Sequence, residues 1–327
     1  MDDHPVSAHL VGLCFNVDGK QLQDQYKNHL SDFHDWKQKA HAESWTLFPD
    51  NVTPHLSIDE TSFSNGELYT ILSSKAANGR KGSIVATIKG TRAEDIIAVL
   101  ERIPLRSRNR VREVTMDMAP NMAKAIRRCF RNSRCVIDRF HVQKLVYDAV
   151  QELRIKYRWE VLDRESKEIA DCRKNGTKYE PEVLSNGDTL KQLLARSRYL
   201  LFKHPTRWEE SQKHRAELLF SMFPKLKEAH QLGVELSDIF TKYKDKKLAF
   251  TKLGLWHNKV EHSGISSFES VARSIAANHP NILHYFDNKS TNASAESFNA
   301  KLKAFRAIFR GVRDTTFFLY RVMKLYA

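Results

Sequence analysis

Only four cysteines occur in 327 residues, and Cys14, Cys129, Cys135 and Cys172 offer neither the CxxC pairing of a zinc ribbon nor the density of a secreted disulfide scaffold. All four read as reduced and mostly structural. No uninterrupted apolar run reaches 18 residues, and no signal peptide opens the chain. The GxxxxGK[ST] phosphate loop and the GxGxxG fingerprint are also missing, which leaves nucleotide hydrolysis and nicotinamide chemistry without support. A soluble, cytoplasmic protein with no membrane partner is the expectation.

What the chain has in excess is positive charge. A formal net charge of +14 and a pI near 9.5 raise the local concentration of polyanions, because phosphates are attracted and their displaced counterions gain entropy. Nucleic acid is therefore the leading class of partner. Residues 1–50 hold four Lys and no Arg against seven Asp and one Glu, so the DNA-facing surface is expected downstream of them.

Residues 6–15 and 20–40 read as two helices joined by NVDG, consistent with the end of a helix-turn-helix unit or with ordinary helix pairing. Pro49, Asp50, Asn51 and Pro54 mark 45–55 as a linker. From residue 55 the runs HLSIDETSF, ELYTILSSK and GSIVATIKG predict three antiparallel strands. Helical spacing of Ile96, Ile97, Leu100 and Ile103 follows, then strand 111–118, helix 120–131 and strand 134–140. The order βββαβαβ predicts an α/β fold, a ribonuclease H-like mixed sheet. Residues 142–286 show only amphipathic helical stretches and read as an all-α insertion domain, and two further helices close the chain. The expected organisation is an N-terminal helical region over 1–50, the first part of the core over 51–141, the insertion over 142–286 and the C-terminal helices of the core over 287–327.

Two strands end in carboxylates. Asp59 follows Leu56 and Ile58, and Asp117 follows Val114 and Met116, so on neighbouring strands they would converge at one sheet edge. Converging carboxylates are costly unless a cation lies between them, and magnesium prefers such oxygen ligands. Each Asp taken alone also suits a turn or a helix N-cap. On the helix beginning near Ser294, Glu296, Asn299, Lys303 and Arg310 share one face, while Phe298, Leu302, Phe305 and Phe309 share the other. That face could hold a metal with Glu296 and a DNA phosphate with Lys303 and Arg310, or it could be an ordinary solvated face. Asp138, Arg139 and His141 open the insertion, either as an Asp138–Arg139 ion pair with a capped helix start, or with His141 pairing with Asp138 or donating to a phosphate. Trp208 in PTRWEE reads as packing of an insertion helix, with base stacking as the other reading.

Taken together, IDETSF (58–63), VTMDMAP (114–120), CVIDRFHVQK (135–144) and NASAESFNAKLKAFR (292–306) resemble the DDE-type transposases of bacterial insertion sequences, over about residues 50–327. The branch resembled has a ribonuclease H-like core interrupted by a helical insertion before the last acid. The resemblance implies a catalytic and metal-binding triad of Asp59, Asp117 and Glu296 with Mg2+ (or Mn2+), two ions in all. It places Asp138 and His141 in a D-x-x-H step, and Asn299 and Lys303 on the polar helix face. It implies strand cleavage at element ends, strand transfer to target DNA, and a homodimer pairing two terminal inverted repeats in the bacterial nucleoid. The family's usual zinc ribbon and helix-turn-helix are missing or reduced here, which points either to a separate DNA-binding protein from an adjacent reading frame for end recognition or to a degenerate copy. A structure-specific nuclease of the same fold, or a DNA-binding descendant without chemistry, are the competing expectations.

Overall fold

Runs rich in Val, Ile, Thr and Tyr between residues 45 and 137 build one six-stranded sheet: β1 (Trp45–Leu47), β2 (His55–Ser64), β3 (Glu67–Ser74), β4 (Ile84–Lys89), β5 (Glu113–Met116) and β6 (Arg134–Ile137). The computed structural model describes residues 1–64, 66–309, 312 and 314–327. It divides into two units, residues 1–138 with 288–327, and residues 139–287. The sheet belongs to the first, with order β1-β4-β3-β2-β5-β6. Strands β1, β4, β3 and β2 pair antiparallel, whereas β2, β5 and β6 run parallel. The five strands from β2 onward are arranged as in a ribonuclease H-like core, and β1 extends the sheet beside β4.

Strand β1 lies in the stretch that Pro and Asn had marked as a linker. Three residues are too few for alternation to show in a sequence. The strand exists because β4 offers an edge: Thr46 pairs with Thr87, and their buried hydroxyls are 2.7 Å apart. The helix expected over 20–40 is also shorter. After α1 (Ala8–Phe15), α2 (Gly19–Gln25) passes into one π-turn that ends at Leu30. Tyr26 within the turn and Phe33 beyond it pack on Phe317 and Tyr320, and tertiary packing rather than helical propensity sets the backbone.

The pleat sends alternate side chains to opposite faces. On one face Leu56, Ile58, Leu72, Val114, Met116 and Cys135 meet Ile96, Val99 and Leu100 of α3 (Ala93–Leu100). After the short α4 (Leu105–Arg108), α5 (Pro120–Cys129) adds Met122, Ala125, Ile126 and Cys129 to the same layer. All four cysteines are free. Burial raises the Cys129 thiol to about 11 and also pushes Cys135 up, so neither is a nucleophile at neutral pH.

The second unit is helical: α6 (Arg139–Lys174), α7 (Leu190–Arg196), α8 (Glu210–Met222), α9 (Pro224–Lys242), α10 (Lys246–Ser263), α11 (Ser266–Leu283) and α12 (Tyr285–Asn288), whose last residue already belongs to the first unit. Its core gathers Val146, Val150, Leu194, Leu236, Trp256 and Phe268. Gly233 lets α9 approach α6, since a Cβ there would lie 3.2 Å from Val146 Cγ1.

The chain returns to the first unit through α13 (Ala293–Ile308) and α14 (Thr315–Tyr326), which cover the other face of the sheet. Phe298, Leu302 and Phe305 of α13 pack with Tyr69, Ile71 and Ile84 and with Phe318, Leu319 and Val322 of α14. Gly79, at φ +70°, leaves room for Lys301, whose Nζ donates to the Gly79 carbonyl at 3.0 Å.

Ile58 is fully buried between the sheet and α3/α5, one residue before Asp59. Ile58→Ala is expected to destabilise the fold by about 2–5 kcal/mol, the usual cost of a large core truncation. A urea midpoint equal to that of the wild type would contradict this layering.

Candidate active site

The parallel register sets three aspartates side by side. His55 pairs with Glu113 and Ser57 with Thr115 across β2 and β5, while Thr115 pairs with Val136 and Met116 with Ile137 across β5 and β6. Continued by two steps across β2 and β5 and by one across β5 and β6, that register puts Asp59, Asp117 and Asp138 at one level. All three follow the same local pattern, Ser-Ile-Asp, Thr-Met-Asp and Val-Ile-Asp; Ile58 and Met116 enter the α3/α5 core, and Ile137 is likewise buried. Each aspartate therefore faces the opposite side, the one that α13 covers.

A backbone N–H donates to each of the three aspartates. Asp59 Oδ1 accepts from the Glu60 N–H at 2.8 Å, and its Oδ2 accepts from Asn299 Nδ2 at 2.8 Å. Asp117 Oδ1 accepts from the Ala119 N–H at 2.9 Å. Asp138, only 2% exposed, accepts on Oδ2 from the Asn292 N–H at 3.1 Å. Glu296 lies one turn before Asn299 on α13, and one of its carboxylate oxygens lies within 4.8 Å of one of Asp138. The start of α13 thus stands at β6 and its next turn at β2, with Asp117 on the strand between.

Negative charge accumulates at this edge. Burial, then the charges of Asp117 and Asp59, push the Glu60 carboxyl above its ordinary value. A donor set made of carboxylates on three strands and a helix suits a hard divalent cation, which would neutralise the field that Glu60 senses.

The other sequence candidates are distributed as follows. Lys303 is exposed on α13, whereas Asn299 is buried against the sheet with its amide on Asp59. Arg310 lies outside the described residues. Arg139 and His141 are in the first turn of α6, in the second unit, where the Arg139 guanidinium stands 6.0 Å from the Tyr285 ring centre. Trp208 stacks on His230 and donates through Nε1 to the Leu200 carbonyl at 3.1 Å, a packing position. The place of Asp138 in the row went unread in the sequence, although its Val-Ile-Asp repeats the signal at the other two strands.

The raised Glu60 pKa has a pH consequence. The folded chain holds this proton more tightly than the unfolded one, so the contribution is complete below the ordinary value of 4.5 and is lost as pH rises through the folded pKa. In EDTA, Glu60→Gln is expected to flatten the fall of the urea midpoint above pH 4.5. Identical slopes in the two proteins would remove the argument for repulsion at this edge.

A family model for DDE transposases of the ISL3 type, described as Transposase, matches residues 56–322. No curated protein and no solved structure matches the chain. The matched span begins in β2 and ends in α14, and so takes in all four carboxylates and the helix that carries the last of them. The chain belongs to the DDE transposase family.

Proposed function

We propose that this transposase cuts DNA strands at the ends of its element and joins the freed 3′-hydroxyl to target DNA, with Asp59, Asp117 and Glu296 as its catalytic carboxylates. The observation that carries this reading is the level row of aspartates facing α13, because Asp59 and Asp117 stand on adjacent parallel strands and Glu296 projects from the helix above that face. These three residues would hold two magnesium ions, with manganese as a substitute. When bound, such ions supply the positive charge that an in-line phosphoryl transfer needs at its attacking and leaving oxygens.

The remaining roles follow from position. Asn299 holds Asp59 in orientation through its amide. Asp138 fixes the start of α13 through the Asn292 N–H. Lys303, exposed on the same helix, is assigned to a DNA phosphate, as are Arg310, Arg139 and His141. Trp208 keeps a packing role. Among the described residues no helix is long and apolar enough to cross a membrane. We assign the reaction to a homodimer on paired inverted repeats in a bacterial nucleoid, with end recognition helped by a separate DNA-binding protein.

The deciding experiment is cleavage of a labelled duplex carrying the element's end, with Mg2+ or Mn2+ against EDTA, followed by addition of a target duplex. Metal-dependent nicking is expected, lost in Asp59→Ala, Asp117→Asn and Glu296→Ala while DNA affinity is kept. Cleavage retained by Asp117→Asn would sink the assignment, and nicking without strand transfer would leave a nuclease. Lys303→Ala is expected to weaken binding similarly on all sequences and to lower the salt slope by about 1. A change confined to sequence preference would count against a phosphate contact.

A further inference from the structure

Below the row of aspartates, on the same face of the sheet, lies a second polar cluster that the proposed chemistry does not use. Lys75 directly follows β3, and its N–H donates to the His55 carbonyl at 3.1 Å. From there its side chain reaches across β2. Nζ donates to the hydroxyls of Thr115 and Ser290 and lies 3.6 Å from Glu113 Oε1. Asn288 Nδ2 donates to Glu113 Oε2 at 2.7 Å, and the Ser290 hydroxyl stands 3.3 Å from that of Thr115. The Lys75 and Glu113 side chains are only 16% and 11% exposed.

Burying an ion pair is a poor route to stability, since apolar residues of the same volume commonly do as well. Its partners suggest another use. Burial pushes the Glu113 carboxyl up, but Ser290, Asn288 and Lys75 together bring it below the ordinary carboxylate value, so it stays ionised and able to accept from them. Asn288 and Ser290 lie in the stretch through which the chain re-enters the core after the insertion, and Asn292 two residues later binds Asp138. Helix α13 begins at Ala293, so anchoring 288, 290 and 292 fixes the first turn of the helix that carries Glu296.

We propose that the Lys75–Glu113 pair is a positioning device for Glu296: it clasps the re-entering segment to β5 and so sets the distance of the last carboxylate from the row. Neither residue touches the reacting groups. The proposal rests on the reading of Glu296 as a catalytic carboxylate.

The test uses the full chain with Lys75→Met, the charge-free double variant Lys75→Met/Glu113→Gln, and Lys75→Arg. Hydrogen–deuterium exchange over residues 288–297, thermal melting and calorimetric titration with Mn2+ alone are read for each. In the double variant, melting is expected close to wild type, with exchange over 288–297 about tenfold faster. Mn2+ binding is expected about 10- to 100-fold weaker, as for residues that orient a metal ligand from behind. Lys75→Arg should restore much of both. The double variant decides the matter if Lys75→Met alone, with its stranded Glu113, fails to fold. Unchanged exchange over 288–297 overturns the clasp, and faster exchange with unchanged Mn2+ affinity overturns its positioning role. A wild-type chain that binds no Mn2+ sinks the metal reading, and the exchange data then decide the clasp by themselves.

Discussion

Strand register is the constraint on which the rest of this molecule depends. Side chains alternate along a strand, so slipping β5 by one residue against β2 would send Asp117 to the α3/α5 face and expel Val114 and Met116 from the core. The apolar layer prevents this. Burial of a side chain such as Leu56, Ile58 or Met116 contributes roughly 1.5–3 kcal/mol each. Two carboxylates about 4 Å apart repel by about 1 kcal/mol in water and about 4 kcal/mol at an effective dielectric of 20. Several core side chains therefore outweigh the repulsion among acids on strands spaced roughly 4.8 Å apart. The acidic edge is imposed by the hydrophobic face behind it.

Glu296 has no such strand to hold it. It is separated from Asp138 by the whole helical unit, and its helix must be returned to the sheet by non-local contacts. Phe298, Leu302 and Phe305 supply adhesion to the sheet and α14 without directional preference. Direction comes from polar contacts spaced along the helix: the Asn292 N–H on Asp138, the Asn299 amide on Asp59, and Lys301 on the Gly79 carbonyl. These three contacts hold α13 to β6, to β2 and to the β3–β4 turn, which limits both sliding and rotation of the helix.

How far the sequence was legible follows from the same distinction. Alternation and turn residues marked β2 through β6, and helical spacing marked α3, α5 and α13, because these patterns are local and repeat several times. Strand β1 was hidden since three residues cannot display a period, and the π-turn after α2 since aromatic packing overrides propensity there. Asp117 and Glu296 stood out as acids at element ends and Asp59 as an acid after an apolar run, although β2 does not end at Asp59 as expected but continues to Ser64, paired with β3. The burial of Asn299 was not legible: on a helical wheel it shares a face with exposed Lys303, and only the approach of β2 distinguishes them. Lys75 and Ser290 carry no local signal at all. A lysine after a strand reads as solvated until Glu113, 38 residues onward, is seen across β2 from it.

The way the aspartates are held bears on what they can do. Each of the three accepts from a backbone N–H, of Glu60, Ala119 or Asn292, and Asp59 also accepts from the Asn299 amide. An ionised carboxylate has about four lone-pair sites, and each such bond helps fix its plane. Amide donors orient the group while adding no full positive charge, whereas a lysine or arginine in their place would cancel the field that draws in a cation. Lys75 sits one level below, against Thr115 and Glu113, with the charge of Glu113 acting on it more strongly than that of Asp138. Placing the cation beside Glu113 lets the fold anchor the α13 approach with an ion pair and yet keep the adjoining edge negative.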